Sequence, residues 1–135
     1  MKKKPVILLV EDEAIIRMEA VQMLEDAGFA VVEACNAHNA LIILDSRTDV
    51  RAVFTDINMP GTWDGMRLAR IVRGRWPPIH LIVTSGLMSP DPHDLPPNGR
   101  FIPKPYNPAY VVATIRELLT PSSPSNPVNH AAKAA

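Results

Sequence analysis

The chain has 135 residues, 47% of them hydrophobic, and its 14 lysines and arginines balance its 14 aspartates and glutamates. This length fits one domain with a sizeable core, and the zero net charge gives no general attraction to nucleic acid or to an anionic membrane. The single cysteine excludes an internal disulfide framework, and no apolar stretch is long enough for a signal sequence or a bilayer span, so a cytoplasmic protein is expected.

Apolar runs alternate with amphipathic segments along the chain. The runs have the composition of buried β-strands, and they cover residues 5–10, 29–34, 52–55, 79–83 and 100–102. Apolar residues recur at helical spacing in four segments, which cover residues 16–27, 37–44, 65–73 and 108–119. Asn36, Asp64 and Asn107 are suitable caps for the last three of these helices. The alternation predicts an α/β fold in which helices cover both faces of a parallel sheet.

Two segments depart from this alternation. A helix is expected between the fourth and fifth strands, but residues 87–99 contain four prolines, each of which costs about 3 kcal/mol inside a helix. We therefore expect that fourth helix to be degraded to a proline-rich loop. Residues 121–135 are rich in Pro, Ser, Asn and Ala, which predicts a disordered tail after a single domain over residues 1–120. The start at Met1 leads us to expect a stand-alone chain.

Polar side chains follow the ends of four predicted strands. They are Glu11 and Asp12 after the first strand, Asp56 after the third, Thr84 after the fourth and Lys104 after the fifth. The carboxyl ends of parallel strands meet at one sheet edge, where such sheets bind ligands. Three carboxylates predict a hard divalent cation such as Mg²⁺, and a hydroxyl with an ammonium suits a tetrahedral anion. This set describes phosphoryl transfer onto a carboxylate, with Asp56 as the nucleophile.

The motifs at these strand ends resemble those of the response-regulator receiver domain of two-component signalling. The matching residues, in chain order, are Glu11-Asp12, Asp56, Met59-Pro60-Gly61, Asp64-Gly65, Thr84-Ser85-Gly86 and Lys104-Pro105. The resemblance runs from about Lys4 to Thr120. It implies the flavodoxin-like (CheY-like) fold, a five-stranded parallel sheet of order 2-1-3-4-5 with helices on both faces.

The resemblance also implies a phosphorylation site and a metal site. Asp56 would be the phospho-acceptor, and the donor would be a histidine kinase or a histidine phosphotransfer protein. Asp12 and Asp56 would bind Mg²⁺ directly, together with the backbone carbonyl of Asn58, and Glu11 would act through a water molecule. Many members of the family have aspartate where this chain has Glu11, whose longer side chain still permits that role.

A switch is implied as well. Thr84 would be the hydroxyl that moves to the phosphoryl group, and Lys104 would pair with that group or with Asp56. Phe101, three residues before Lys104, occupies the position of the switch aromatic, but it has no hydroxyl and could act only through packing. Pro105 is expected to follow a cis peptide bond.

Three functions remain open at this point. The chain would be a signalling receiver that switches contacts with an unknown effector protein, and not an enzyme beyond its own phosphorylation and dephosphorylation. It could instead be a phosphate shuttle or sink without an effector. A Mg²⁺-dependent phosphatase with an aspartyl nucleophile would need a general acid where this chain has Asn58. No partnership with nucleic acid or membrane is expected.

Overall fold

The computed structural model describes residues 3–57, 65–86, 95–96 and 99–120. Five β-strands lie in this part of the chain: β1 (Val6–Val10), β2 (Ala30–Ala34), β3 (Val50–Asp56), β4 (His80–Ser85) and β5 (Arg100–Pro103). Four helices are described with them: α1 (Ala14–Asp26), α2 (Ala37–Ser46), α3 (Gly65–Arg75) and α4 (Pro108–Leu119). All neighbouring strands pair in parallel, in the order β2-β1-β3-β4-β5. The predicted fold class and strand order are confirmed.

The core is divided into two layers by the sheet. Alternate residues of a strand point to opposite faces, so Leu8 and Val10 of β1 join the cluster under α2 and α3. Ile7 and Leu9 join the cluster under α1 and α4. All four side chains are almost fully buried. Burial on both faces explains why β1 is a continuous apolar run.

Helix ends form where the sequence provides caps. The Asn36 side chain accepts a hydrogen bond from the backbone N–H of Asn39 at 2.7 Å, which caps α2. Asn107 caps α4 in the same way, accepting from Ala109 at 2.8 Å. Gly28 adopts a φ of 97° after α1, a conformation that favours glycine. Asp64, the cap predicted for α3, lies outside the described residues.

Several element boundaries differ from the predicted ones. β3 begins two residues early, because Val50 already pairs with Val6 before the register shifts around Arg51. β4 extends to Ser85, since Thr84 and Ser85 still pair with residues of β5. α3 continues to Arg75, two residues beyond the predicted end.

Two predicted irregular segments fall largely outside the described residues. Of the proline-rich segment 87–99, the structure describes Leu95, Pro96 and Gly99, which are not helical. The fourth helix of the described chain, α4, is intact and follows β5, where the last helix was predicted. The predicted tail over 121–135 is also outside the described part. Within the described residues, no helix has the length and apolar character needed to cross a bilayer.

Candidate functional site

An ion triad lies at the edge of the sheet where the strands end. Glu11 directly follows β1, Asp56 is the last residue of β3, and Lys104 directly follows β5. The Nζ atom of Lys104 lies 2.7 Å from Oδ2 of Asp56 and 3.3 Å from Oε1 of Glu11. The two carboxylate side chains are only 6% and 5% exposed, and that of Lys104 is 20% exposed. Asp56 and Glu11, which precede Lys104 by 48 and 93 positions in the sequence, thus meet it in a mostly buried cluster.

The carboxylates of this edge form a candidate metal site. Glu11, Asp12 and Asp56 each offer an oxygen atom, and these oxygens lie within 4.8 Å of one another. Hard divalent cations such as Mg²⁺ prefer oxygen ligands of this kind, so the residues present fit such an ion. Asn58, whose carbonyl was expected as a further ligand, lies outside the described residues.

The charges of the triad influence one another. Burial raises the pKa of Glu11, and the charge of Asp56 raises it further, whereas the Glu13 backbone N–H and Lys104 oppose the shift. Burial also disfavours the ammonium of Lys104, but its hydrogen bond to Asp56 and the two carboxylate charges outweigh this effect and raise the pKa of Lys104. Lys104 is therefore held as a cation between two carboxylates.

Thr84 places a hydroxyl beside the acceptor strand. It is the register partner of Asp56 on β4 and is 3% exposed. Its Oγ1 atom is buried, and among the residues that the structure describes it has no hydrogen-bond partner. A buried hydroxyl without a partner costs about 1–3 kcal/mol, so a ligand that accepts its hydrogen bond would recover that free energy. Phe101, the predicted switch aromatic, is half-buried on β5 and pairs with Val83, next to Thr84.

The backbone around Asp56 and Lys104 is closely packed. Gly65, the first residue of α3, donates its N–H to the carbonyl of Ile57 at 3.1 Å. A Cβ atom at Gly65 would overlap the carbonyl oxygen of Asp56, so only glycine fits where α3 begins. The Lys104–Pro105 peptide bond is cis, as predicted.

Two residues near the site were missed by sequence reasoning. Arg17 of α1 donates to the carbonyl of Glu11 at 2.8 Å and to Oε1 of Glu33 at 3.2 Å, so it holds the start of the acidic loop. Tyr106 packs against Phe54, with ring centroids 5.7 Å apart, and burial raises the pKa of its hydroxyl. The position of Tyr106 directly after the Lys104-Pro105 motif was the one available signal, whereas no local pattern marks Arg17.

Comparison with known proteins identifies the family of this chain. A family model described as the response regulator receiver domain matches residues 7–116, which include the whole acidic cluster, Thr84 and Lys104. The chain belongs to the receiver domain family. Receiver domains are components of two-component signalling. The carboxylates of Glu11, Asp12 and Asp56 form the candidate metal site of this receiver domain.

Individual relatives agree with this assignment. The receiver domain is 35% identical over 117 residues to the sensor kinase CckA of Brucella abortus, covering 84% of this chain and 12% of that protein. It is 32% identical over 127 residues to the aerobic respiration control protein ArcA of Escherichia coli K12, covering 86% and 49%. A response regulator receiver protein from Sinorhizobium medicae superposes with a TM-score of 0.81 at 29% identity, covering 87% and 95%. The chain therefore spans less than half of these two sequence relatives and nearly all of the structural one.

Proposed function

We propose that this receiver domain accepts a phosphoryl group on Asp56 within a two-component phosphorelay. The observation that supports the proposal most strongly is the Asp56 carboxylate itself. It ends β3, contacts the Lys104 ammonium at 2.7 Å and clusters with two further carboxylates. A carboxylate held beside a cation, at a strand end where ligands bind, suits in-line attack on phosphorus.

The donor would be a phosphohistidine on a histidine kinase or on a histidine phosphotransfer protein. A carboxylate oxygen of Asp56 attacks the phosphorus, the new O–P bond forms as the N–P bond breaks, and the departing imidazole takes a proton from solvent. Asp12, Asp56 and the carbonyl of Asn58 would hold Mg²⁺ directly, and Glu11 would hold it through water. When bound, this ion supplies positive charge that neutralises the transferring oxygens.

The remaining site residues would respond to the phosphoryl group. Lys104 exchanges its contact with Asp56 for one with a phosphoryl oxygen. The hydroxyl of Thr84, which is unpartnered within the described part of the chain, donates to another phosphoryl oxygen, which favours the conformation in which the end of β4 lies closer to Asp56. Phe101 follows by packing alone. The output is an altered contact with an effector protein in the cytoplasm, and the domain turns over no substrate other than its own acyl phosphate.

A phosphate shuttle or sink is the second candidate. Gly86 lies beside Lys104, and a Cβ atom there would be 3.6 Å from the Cβ of Lys104, at ordinary contact distance. The missing side chain at Gly86 leaves room beside the aliphatic stem of Lys104, and water that enters there would favour rapid loss of the phosphoryl group. In that case no effector is needed.

Incubation with acetyl phosphate and Mg²⁺, followed by intact-mass measurement, tests the proposal. The wild-type protein should gain one phosphoryl group, and Asp56→Asn should gain none. Asp45→Asn is the matched control, because Asp45 is an exposed aspartate that pairs with Arg75 on the surface. Continuous hydrolysis of an added phosphomonoester would contradict the proposal. Capture of a protein by the phosphorylated form alone separates a signalling receiver from a sink.

A further inference from the structure

A second cavity, which is polar, lies at the amino-terminal ends of the strands, where β4 and β5 begin. Its volume is about 380 Å³, within the range of small-molecule sites. Its charged and titratable lining comes from three elements of the fold and from the end of α3: Arg73, His80, Arg100 and Glu117. His80 and Thr84 are four residues apart on β4, so roughly 13 Å separates this cavity from the phosphorylation site at about 3.3 Å per residue.

The cavity has an excess of positive charge. Two guanidinium groups, those of Arg73 and Arg100, face a single carboxylate, Glu117, whose side chain is 69% exposed. Glu117 contacts Nη1 of Arg100 at 3.3 Å, and an exposed ion pair of this kind contributes little stability. Burial lowers the pKa of His80, and the charges of Arg51 and Arg100 lower it further. Of the two arginines that line the cavity, Arg100 therefore acts on the imidazole of His80, whereas Arg51 acts on it from outside the lining.

The arginines of the cavity retain hydrogen-bond donors. Arg73 donates to the carbonyl of Pro77 at 3.2 Å, and Arg100 donates to Glu117. A guanidinium has five N–H donors, so both keep several for a ligand. A structural role at the end of α4 explains the nearby Arg51, which reaches the carbonyl of Leu119 at 3.4 Å. Arg73 contacts a different backbone segment, the Pro77 carbonyl just after α3, and uses one of its nitrogens, Nη1, to do so.

We propose that this cavity binds a small phosphorylated anion of the class represented by pyrophosphate and nucleoside triphosphates. Guanidinium groups bind phosphate oxygens in pairs with matching geometry. Arg73 and Arg100 approach from separate elements and would hold the phosphate oxygens between them. Pro77, Pro78 and Leu118 supply apolar wall that a nucleoside could contact.

The binding test uses the wild-type protein with EDTA and without Mg²⁺, so that no metal ion is bound at the carboxylates of Glu11, Asp12 and Asp56. Pyrophosphate and ATP are titrated separately, and the ring resonances of His80 are followed by NMR. Saturable shifts of His80 and a rise in its pKa are expected, while the exposed His38 on α2 stays unchanged as an internal control. Tighter binding of ATP assigns the apolar wall to a nucleoside, and equal binding assigns the cavity to the phosphates alone; both support the proposal.

Variants of opposite sign make the test decisive. Arg100→Gln should weaken binding about tenfold, as expected for a lost charge-assisted contact. Glu117→Gln should tighten binding severalfold, because it removes the competing carboxylate and frees Arg100. Arg47→Gln removes the same charge from an exposed arginine that pairs with Asp49, and it should change little.

Three results would overturn the proposal. One is the absence of a saturable His80 shift at millimolar ligand. The second is an equal loss of binding in Arg47→Gln and Arg100→Gln, which would indicate general charge attraction. The third is unchanged or weaker binding in Glu117→Gln, an exposed substitution that leaves the test intact even where Arg100→Gln fails to fold.

Discussion

Replacing Lys104 by methionine tests whether the buried carboxylates depend on their cation. The substitution keeps a long unbranched side chain but removes the charge that contacts Asp56 at 2.7 Å and Glu11 at 3.3 Å. Opposite unit charges about 4 Å apart attract by about 4 kcal/mol at an effective dielectric constant of about 20. Part of this attraction is offset because burial disfavours the ammonium. We therefore expect the free energy of unfolding to fall by about 3 kcal/mol, as for other buried pairs that lose one partner.

Urea unfolding in EDTA measures this loss. Lys4→Met is the matched control, since Lys4 is exposed, and it should stay within about 0.5 kcal/mol of wild type. Adding Asp56→Asn to Lys104→Met should cost less than the sum of the single losses, with a coupling of about 1–3 kcal/mol. A loss in Lys104→Met no larger than in Lys4→Met, or simple additivity in the double variant, would refute this reasoning.

Three further predictions concern the backbone, pH and metal. Gly65→Ala should destabilise the protein by about 2 kcal/mol or more, because its Cβ overlaps the Asp56 carbonyl, whereas Gly74→Ala on the same helix, with open space around it, should be neutral or stabilising in the same urea assay. Because the pKa of His80 is lowered in the folded protein, the unfolded chain binds a proton more readily, and the free energy of unfolding should fall as the pH drops below the ordinary value of 6.5. His80→Gln should make the free energy of unfolding depend less on pH in this range, and an unchanged pH dependence would contradict the prediction. Mg²⁺ at one hundred times its Kd should raise the free energy of unfolding by about 2.7 kcal/mol, which is measured as a higher midpoint of thermal unfolding. Asp12→Asn should reduce this gain, and an unchanged gain would show that Asp12 does not bind the ion.

The sheet could be predicted because its physical requirements are local. A parallel strand covered on both faces needs a continuous apolar run, which β1 has over its whole length and β3 has at residues 52–54. Helix starts were also readable, since Asn36 and Asn107 offer a capping oxygen at the right place. The start of β3 and the end of β4 were predicted wrongly. Val50 and Ser85 join these strands by pairing with Val6 and Pro103, which are distant in sequence and leave no local pattern.

The candidate site was predictable in outline, because parallel strand ends share one edge. That rule brings Asp56 and Lys104 to the same place without giving the distances between them. The contact of Lys104 with Glu11 and the burial of the Thr84 hydroxyl depend on side-chain packing. The support from Arg17 also escaped prediction, since it joins α1 to the loop after β1 and to β2.

The second cavity escaped prediction for a related reason. A charged residue at the start of a strand is ordinary in a sequence, and both His80 and Arg100 have that position. Their proximity follows from strand order and register, which pair Arg100 with Ile82, two residues from His80 on β4, next to the end of α4. Helix α3 then adds Arg73 from the other face of the sheet.

Mapping the phosphorylated residue tests the central claim most directly. Borohydride reduction of the protein after treatment with acetyl phosphate and Mg²⁺ converts an aspartyl phosphate to homoserine, and peptide mass spectrometry locates the converted residue. We predict conversion at Asp56 alone, with none in Asp56→Asn. Conversion at Asp12 instead, or a phosphoryl group retained by Asp56→Asn, would contradict the assignment of Asp56 as the acceptor.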